Sequence, residues 1–112
     1  VQMQIDFRTP SVRLSARLRR YAEKRASFAL GRVTVPGTRV VLTLEDLNGP
    51  RGGIDKCCTV RVQPTQGGTL VFKQTDGDLR VAIDGALAKA SRSVAKTLHR
   101  RTRVRQAAVT VH

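Results

Sequence analysis

The chain has no tryptophan, only four other aromatic residues, two cysteines and two histidines, and eight acids against 21 lysines and arginines. Each shortage excludes something. Phe7, Tyr21, Phe28 and Phe72 each hold a core-like position in their local pattern, so a base-stacking platform of the kind used by single-strand binders is not expected. Cys57 and Cys58 are adjacent in an apparent strand, which points their side chains to opposite faces. They are poorly placed to bridge each other and read as structural thiols, Cys58 inside and Cys57 more exposed. His99 and His112 form no metal-ligand spacing, and no nucleophile is paired with a base, so the chain reads as a non-enzyme with no cofactor and no metal. Asp76 and Asp78 read as turn and cap residues rather than a catalytic pair. No apolar run approaches the roughly 18 residues of a membrane span, and the start lacks a signal-peptide layout; a soluble, cytoplasmic protein with no membrane partner is expected.

What is abundant is positive charge, and its placement is uneven. Ser11 to Arg32 holds seven basic residues and one acid, and Leu79 to His112 holds eight and one, so these two segments carry the entire net charge of +13. The remaining residues hold six bases and six acids and are neutral. A chain this basic resists self-association and attracts a polyanion, so a monomer is expected when it is free.

Both basic segments read as helices with two opposed stripes. In the second, from Asp78 to Arg103, Ile83, Leu87, Ala90, Val94 and Leu98 recur at steps of four, three, four and four, which at about 100° per residue keeps them on one narrow apolar face. Lys89, Arg92, Lys96, Arg100 and Arg103 fall roughly opposite. Asp78 is a plausible N-cap, and Asp84 lies in the early turns, where the helix dipole favours an acid. Gly85 costs about 1 kcal/mol relative to Ala inside a helix, which points to a close backbone approach there. In the first segment Ser15 offers an N-cap and Gly31 a C′ residue for a helix ending near Leu30. Leu18, Ala22, Ala26 and Ala29 make its buried stripe, Tyr21 and Phe28 border it, and Arg13, Arg17, Arg20 and Lys24 line the far side. Such stripes have two readings: a solvated face, or a surface for a polyanion.

The segments between alternate with period two. Val1 to Arg8, Arg39 to Glu45, Ile54 to Gln63 and Thr69 to Gln74 read as strands, punctuated by Pro36-Gly37 and by Gln66-Gly67-Gly68. The order β-α-β-β-β-α predicts an α+β fold: a four-stranded sheet with both helices packed on one face, which would place their basic stripes side by side. Residues 1–103 form this domain, and 104–112, without turn signals or a clear period, read as a frayed C-terminal extension. Gly49-Pro50-Arg51-Gly52 spells the G-x-x-G of a KH loop, but it joins two strands and reads as a glycine-rich hairpin loop from which Arg51 and Lys56 extend a phosphate contact. Arginine outnumbers lysine on the stripes, which suits bidentate phosphate contacts to structured RNA.

Several of these elements also resemble a known family, the ribosome hibernation promoting factors and ribosome-associated inhibitor proteins, in its short form. The resemblance rests on Met3-Gln4-Ile5, on Leu18-Arg19 with Arg25, on Asp78-Leu-Arg-Val-Ala-Ile-Asp-Gly85, and on the basic positions Lys89, Arg92, Lys96 and Arg100. The loop from Asp46 to Lys56 resembles a form found in one branch of it. Arg80 stands where that family usually has an aromatic, and Ala26 and Ala29 where it has larger apolar residues. The resemblance implies a domain that binds the small ribosomal subunit and its rRNA between head and body, through Arg13, Arg17, Arg20, Lys24, Arg25, Lys89, Arg92, Lys96, Arg100 and Arg103. It would regulate translation in stress by occupying the messenger and transfer RNA sites. The family's long form adds a dimerising domain that 112 residues cannot hold, so the chain would be a short form or a fragment. A generic structured-RNA-binding or ribosomal protein shares the charge logic and is the alternative.

Overall fold

The computed structural model describes residues 3–47, 55–65 and 67–110, with side chains through Thr97. Six elements follow in order: β1 (Gln4–Arg8), α1 (Ala16–Leu30), β2 (Arg39–Asp46), β3 (Lys56–Gln63), β4 (Leu70–Asp76) and α2 (Leu79–Thr110). The strands form one sheet in the order β1-β2-β3-β4. β2, β3 and β4 pair antiparallel, as strands joined by short connections do, whereas β1 runs parallel to β2 because α1 carries the chain back between them. This is the expected β-α-β-β-β-α architecture.

Local chemistry sets the boundaries. Ser15 Oγ accepts the Leu18 amide at 3.1 Å and starts α1. Asp78 Oδ1 accepts the Arg80 amide at 2.9 Å, and Asp76 Oδ2 accepts the Asp78 amide at 2.8 Å, so these two carboxylates build the turn and cap that open α2. Pro36 and Gly37 occupy the middle of a turn closed by the Thr38 amide on the Val35 carbonyl at 3.2 Å, and Gly37 has φ of +88°, a left-handed conformation that glycine takes without strain. Gly31 differs from its expected role: it ends α1 in a right-handed conformation at φ −59°, not the left-handed one of a C′ glycine. A Cβ there would lie 2.5 Å from the Ser27 carbonyl oxygen, so the residue is small for want of space. The other correction is at the end of the chain, where α2 continues to Thr110 instead of fraying after Arg103. Residues 86–112 contain neither glycine nor proline, so once α2 is nucleated nothing stops its propagation. A helix of 32 residues is about 48 Å long, which accounts for the 62 Å long axis of the molecule.

The core lies between the helices and one face of the sheet. Val40, Leu42 and Leu44 of β2 and Cys58, Val60 and Val62 of β3 meet Ala22, Ala26 and Leu30 of α1 and Ala82, Ile83, Ala86, Leu87, Ala90 and Val94 of α2. α2 packs on β3 and β4, and α1 packs alongside α2. The alanines let the two helices share that face at close range, while Leu18 is half-buried rather than fully enclosed. Gly85 answers to a close approach, but of a side chain: a Cβ there would stand 2.7 Å from Gln74 Cγ on β4. Gly85→Ala alone is therefore expected to yield none of the roughly 1 kcal/mol that alanine gains in a helix, and to yield it when combined with Gln74→Ala. Denaturant melts of the four proteins measure this, and equal effects in both backgrounds would remove Gln74 as the cause.

Cys57 and Cys58 are both free thiols, and both are fully buried, which corrects the expectation that Cys57 is the more exposed. Cys57 lies on the sheet face away from the helices, opposite Glu45 on one side and Thr75 on the other, with Thr59 Oγ1 4.0 Å from its sulfur. Burial, with a smaller contribution from Cys57, raises the Cys58 pKa to about 12. Both thiols should resist a disulfide reagent at neutral pH and titrate together on unfolding; rapid reaction of one in the native protein would contradict the burial of that side chain.

Candidate nucleic-acid interface

The surface in question is the outer side of the helix layer. On α1, Arg17, Arg20 and Lys24 are exposed and recur on one face, with Arg13 exposed just ahead of the helix. On α2, Lys89, Arg92 and Lys96 are exposed as expected. The side chains of Leu98, His99, Arg100 and Arg103 lie outside the described residues, as do the Asn48 to Ile54 loop with Arg51, Gln66, and His112.

The two stripes are not laid edge to edge. Lys89 Nζ donates to the Lys73 carbonyl on β4 at 3.0 Å, and Gly85, one turn earlier, faces Gln74 of the same strand. The side of α2 that carries Gly85 and Lys89 therefore faces the β4 flank, while its Asp84 side faces α1. The seam between the helices is filled instead by a cluster that no sequence pattern marks. Tyr21 Oη donates to Asp84 Oδ2 at 2.7 Å, Arg25 Nε donates to Asp84 Oδ1 at 3.1 Å, and the Arg80 guanidinium lies 5.2 Å from the centre of the Tyr21 ring. Asp84 thus does more than complement the helix dipole: it joins two helices 59 to 63 residues apart in the chain. Arg25, expected to contact RNA, is exposed but already ion-paired. Together with Arg80 it supplies positive charge to the ground between the stripes.

Other candidates resolve differently. Lys56, read as a phosphate contact, is turned inward, bonded to Asp46 Oδ2 at 3.0 Å and Asp55 Oδ2 at 3.1 Å, and these two hydrogen bonds, Asp46 first, raise its pKa. Phe28 does not border the core; it is 79% exposed on α1. A partly enclosed apolar hollow at one end of the sheet is lined by Val33, Val62, Leu70 and Val94 with Thr34, Thr38 and Thr97, and among the described residues no acid or base lines it. Those three hydroxyls are spent on the carbonyls of Leu30, Val35 and Ser93. Among the described residues no group of three His, Cys, Asp or Glu could hold a metal ion, and no helix is long and apolar enough to cross a membrane.

The architecture is that of an α+β domain, a four-stranded mixed sheet backed by two helices whose segments carry the net charge. The chain belongs to the family described as sigma 54 modulation protein / S30EA ribosomal protein, whose model matches residues 5–102. Its fold is similar to that of the N-terminal domain of Protein Y from Thermus thermophilus, with a TM-score of 0.70 at 22% identity over 85% of this chain and 99% of that one. It is also similar to a ribosomal subunit interface protein from Coxiella burnetii, with a TM-score of 0.55 at 17% identity over 85% and 94% of the two chains. No curated protein matches the chain.

The seam makes a measurable prediction. The hydrogen bond to Asp84 is the largest influence raising the Tyr21 pKa, followed by burial and the Asp84 charge, while Arg25 and Arg80 pull it down. Tyr21 is the single tyrosine, so ultraviolet titration reads it alone. Asp84→Asn should lower that pKa. Because the folded value is the raised one, this contribution to stability is complete below the unfolded value of about 10 and is lost as pH rises through the folded value. An unchanged titration in Asp84→Asn would mean that the bond does not form in solution.

Proposed function

We propose that this protein is a ribosome hibernation factor that inhibits translation by binding the small subunit between head and body, laying the basic side chains of α1 and α2 on rRNA where messenger and transfer RNA otherwise sit. One observation carries the reading: the entire net charge of +13 belongs to the two helical segments, while the strands and loops around them are neutral. Arg13, Arg17, Arg20, Lys24, Arg25, Lys89, Arg92 and Lys96 are all exposed on those segments. Family membership supports a ribosomal target, and one similar fold is that of a protein titled for the ribosomal subunit interface. The mechanism is occupancy. Arginine forks and lysine ammonium groups replace condensed counterions on phosphates, and no bond is made or broken.

Arg13, Arg17, Arg20 and Lys24 form one line of contacts and Lys89, Arg92, Lys96, Arg100 and Arg103 the other, with Arg25 between them. Because the α2 line tilts toward β4, the two lines suit phosphates on separate RNA segments better than one continuous strand. A constitutive ribosomal or general structured-RNA protein is the second reading, favoured by the ribosomal-protein half of the family description. Presence on idle but not translating ribosomes distinguishes the first from the second.

Replacing Arg17, Arg20, Arg92 and Lys96 together with glutamine should weaken binding to small subunits and flatten the logarithmic salt dependence by roughly one unit per lost phosphate contact. The fold should survive, since exposed substitutions change stability by only about 0.5 kcal/mol or less each. In cell-free translation the variant should fail to inhibit where the wild type does. A folded variant that binds and inhibits like wild type would show these side chains to be an ordinary solvated surface.

A further inference from the structure

Phe28 has no structural employment. Its ring is 79% exposed in the last turns of α1, whereas Phe7 and Phe72 pack against the core and Tyr21 is half-buried over Asp84. It stands four residues after Lys24, three after Arg25 and four before Arg32, and all three cations are exposed. On the helix, Lys24 and Arg25 are neighbours of Phe28 by their spacing, and Arg32, just past the end of α1, lines the same concavity as the ring. The ring also walls a surface concavity of about 710 Å³ shared with Met3, Gly31, Arg32, Val35 and Pro36, whose lining mixes apolar side chains with one guanidinium. The acid in this stretch of α1, Glu23, is occupied by Arg19 at 3.0 Å.

We infer that Phe28 is a stacking platform for an unpaired nucleobase of the RNA held by the basic helices, an inference that rests on the proposed function. A flat apolar face set among cations matches a ligand that is itself a flat ring carried on an anionic backbone. A base inside a duplex has both faces covered by its neighbours, so the partner is a bulged, looped or terminal nucleotide. Lys24 and Arg32 then reach the flanking phosphates while the ring meets the base. An apolar protein segment is the competing occupant, but three cations and, among the described residues, no free acid around a single ring favour the nucleotide.

The chain contains no tryptophan, so Phe28→Trp installs a single reporter at the site. On adding isolated small subunits its emission should be quenched, with affinity at least that of the wild type. Phe28→Ala and Phe28→Leu should both weaken binding about 5- to 100-fold, since leucine restores apolar area but not a flat face. Their salt slopes should match wild type, because no phosphate contact is removed, and thermal melts should be unchanged for so exposed a side chain. Full retention of affinity by Phe28→Leu, or a blue shift of the tryptophan without quenching, would identify an apolar protein contact and overturn the inference. If wild type binds with steep salt dependence and Phe28→Ala binds equally well, the stacking inference alone fails. If wild type shows no salt-dependent binding at all, the proposed function fails and the inference with it.

Discussion

Two helices with seven and eight basic residues in their segments have to be held against each other on one sheet face, and Asp84 is the group that makes this feasible. It is the single acid of α2, and it sits at the seam, accepting from Tyr21 and Arg25 of α1 while Arg80 of its own helix covers the Tyr21 ring. Charges within about 8 Å of one another are only partly screened at physiological salt, so a shared carboxylate between flanking guanidinium groups offsets repulsion where it is greatest. The alanines beneath bring the helices close enough for one aspartate to serve both. The Arg25 ion pair is solvent-exposed and by itself worth about 1 kcal/mol at most; its consequence is positional, since it fixes how one basic line stands relative to the other.

Much of this was readable from residue patterns alone. The order of elements, the inner faces of the strands, the caps at Ser15 and Asp78 and the outward set of cations all follow from periodicity and turn chemistry, which are local. The features that escaped are those that depend on partners distant in the chain. Tyr21 and Asp84 are 63 residues apart, and nothing in either neighbourhood signals the other. Alternation puts Cys57 on the outer sheet face, where exposure is the rule, yet between β2 and β4 it is fully buried. Phe28 looked like a core residue because hydrophobicity was its only visible property; the depth of the Ala22, Ala26 and Leu30 stripe leaves it on the rim. The last turns of α2 carry no apolar period to mark them as helix, and only the lack of glycine or proline after Gly85 lets the helix run on to Thr110.

The division of labour between the layers follows from the same arithmetic of charge. On the sheet's far face Arg39 is paired with Asp6 at 2.6 Å, and the residues outside the two helical segments sum to zero charge. The helix layer presents nearly all of the net charge. A polyanion approaching in any orientation is drawn to one side of the molecule, which orients the encounter before any specific contact forms.

Lys89 belongs to that basic layer, yet its ammonium bonds to the Lys73 carbonyl on β4, an edge strand whose Val71 side chain is also half open to solvent. Edge strands invite pairing with other chains, and a lysine placed across one is a common deterrent. Reaching down from α2, Lys89 occupies an acceptor that a second sheet would need. The basic row of α2 thus also shields the sheet edge from polymerisation, so that, on the proposed function, resistance to aggregation and affinity for RNA would rest on the same row of side chains and could not be tuned independently at this position.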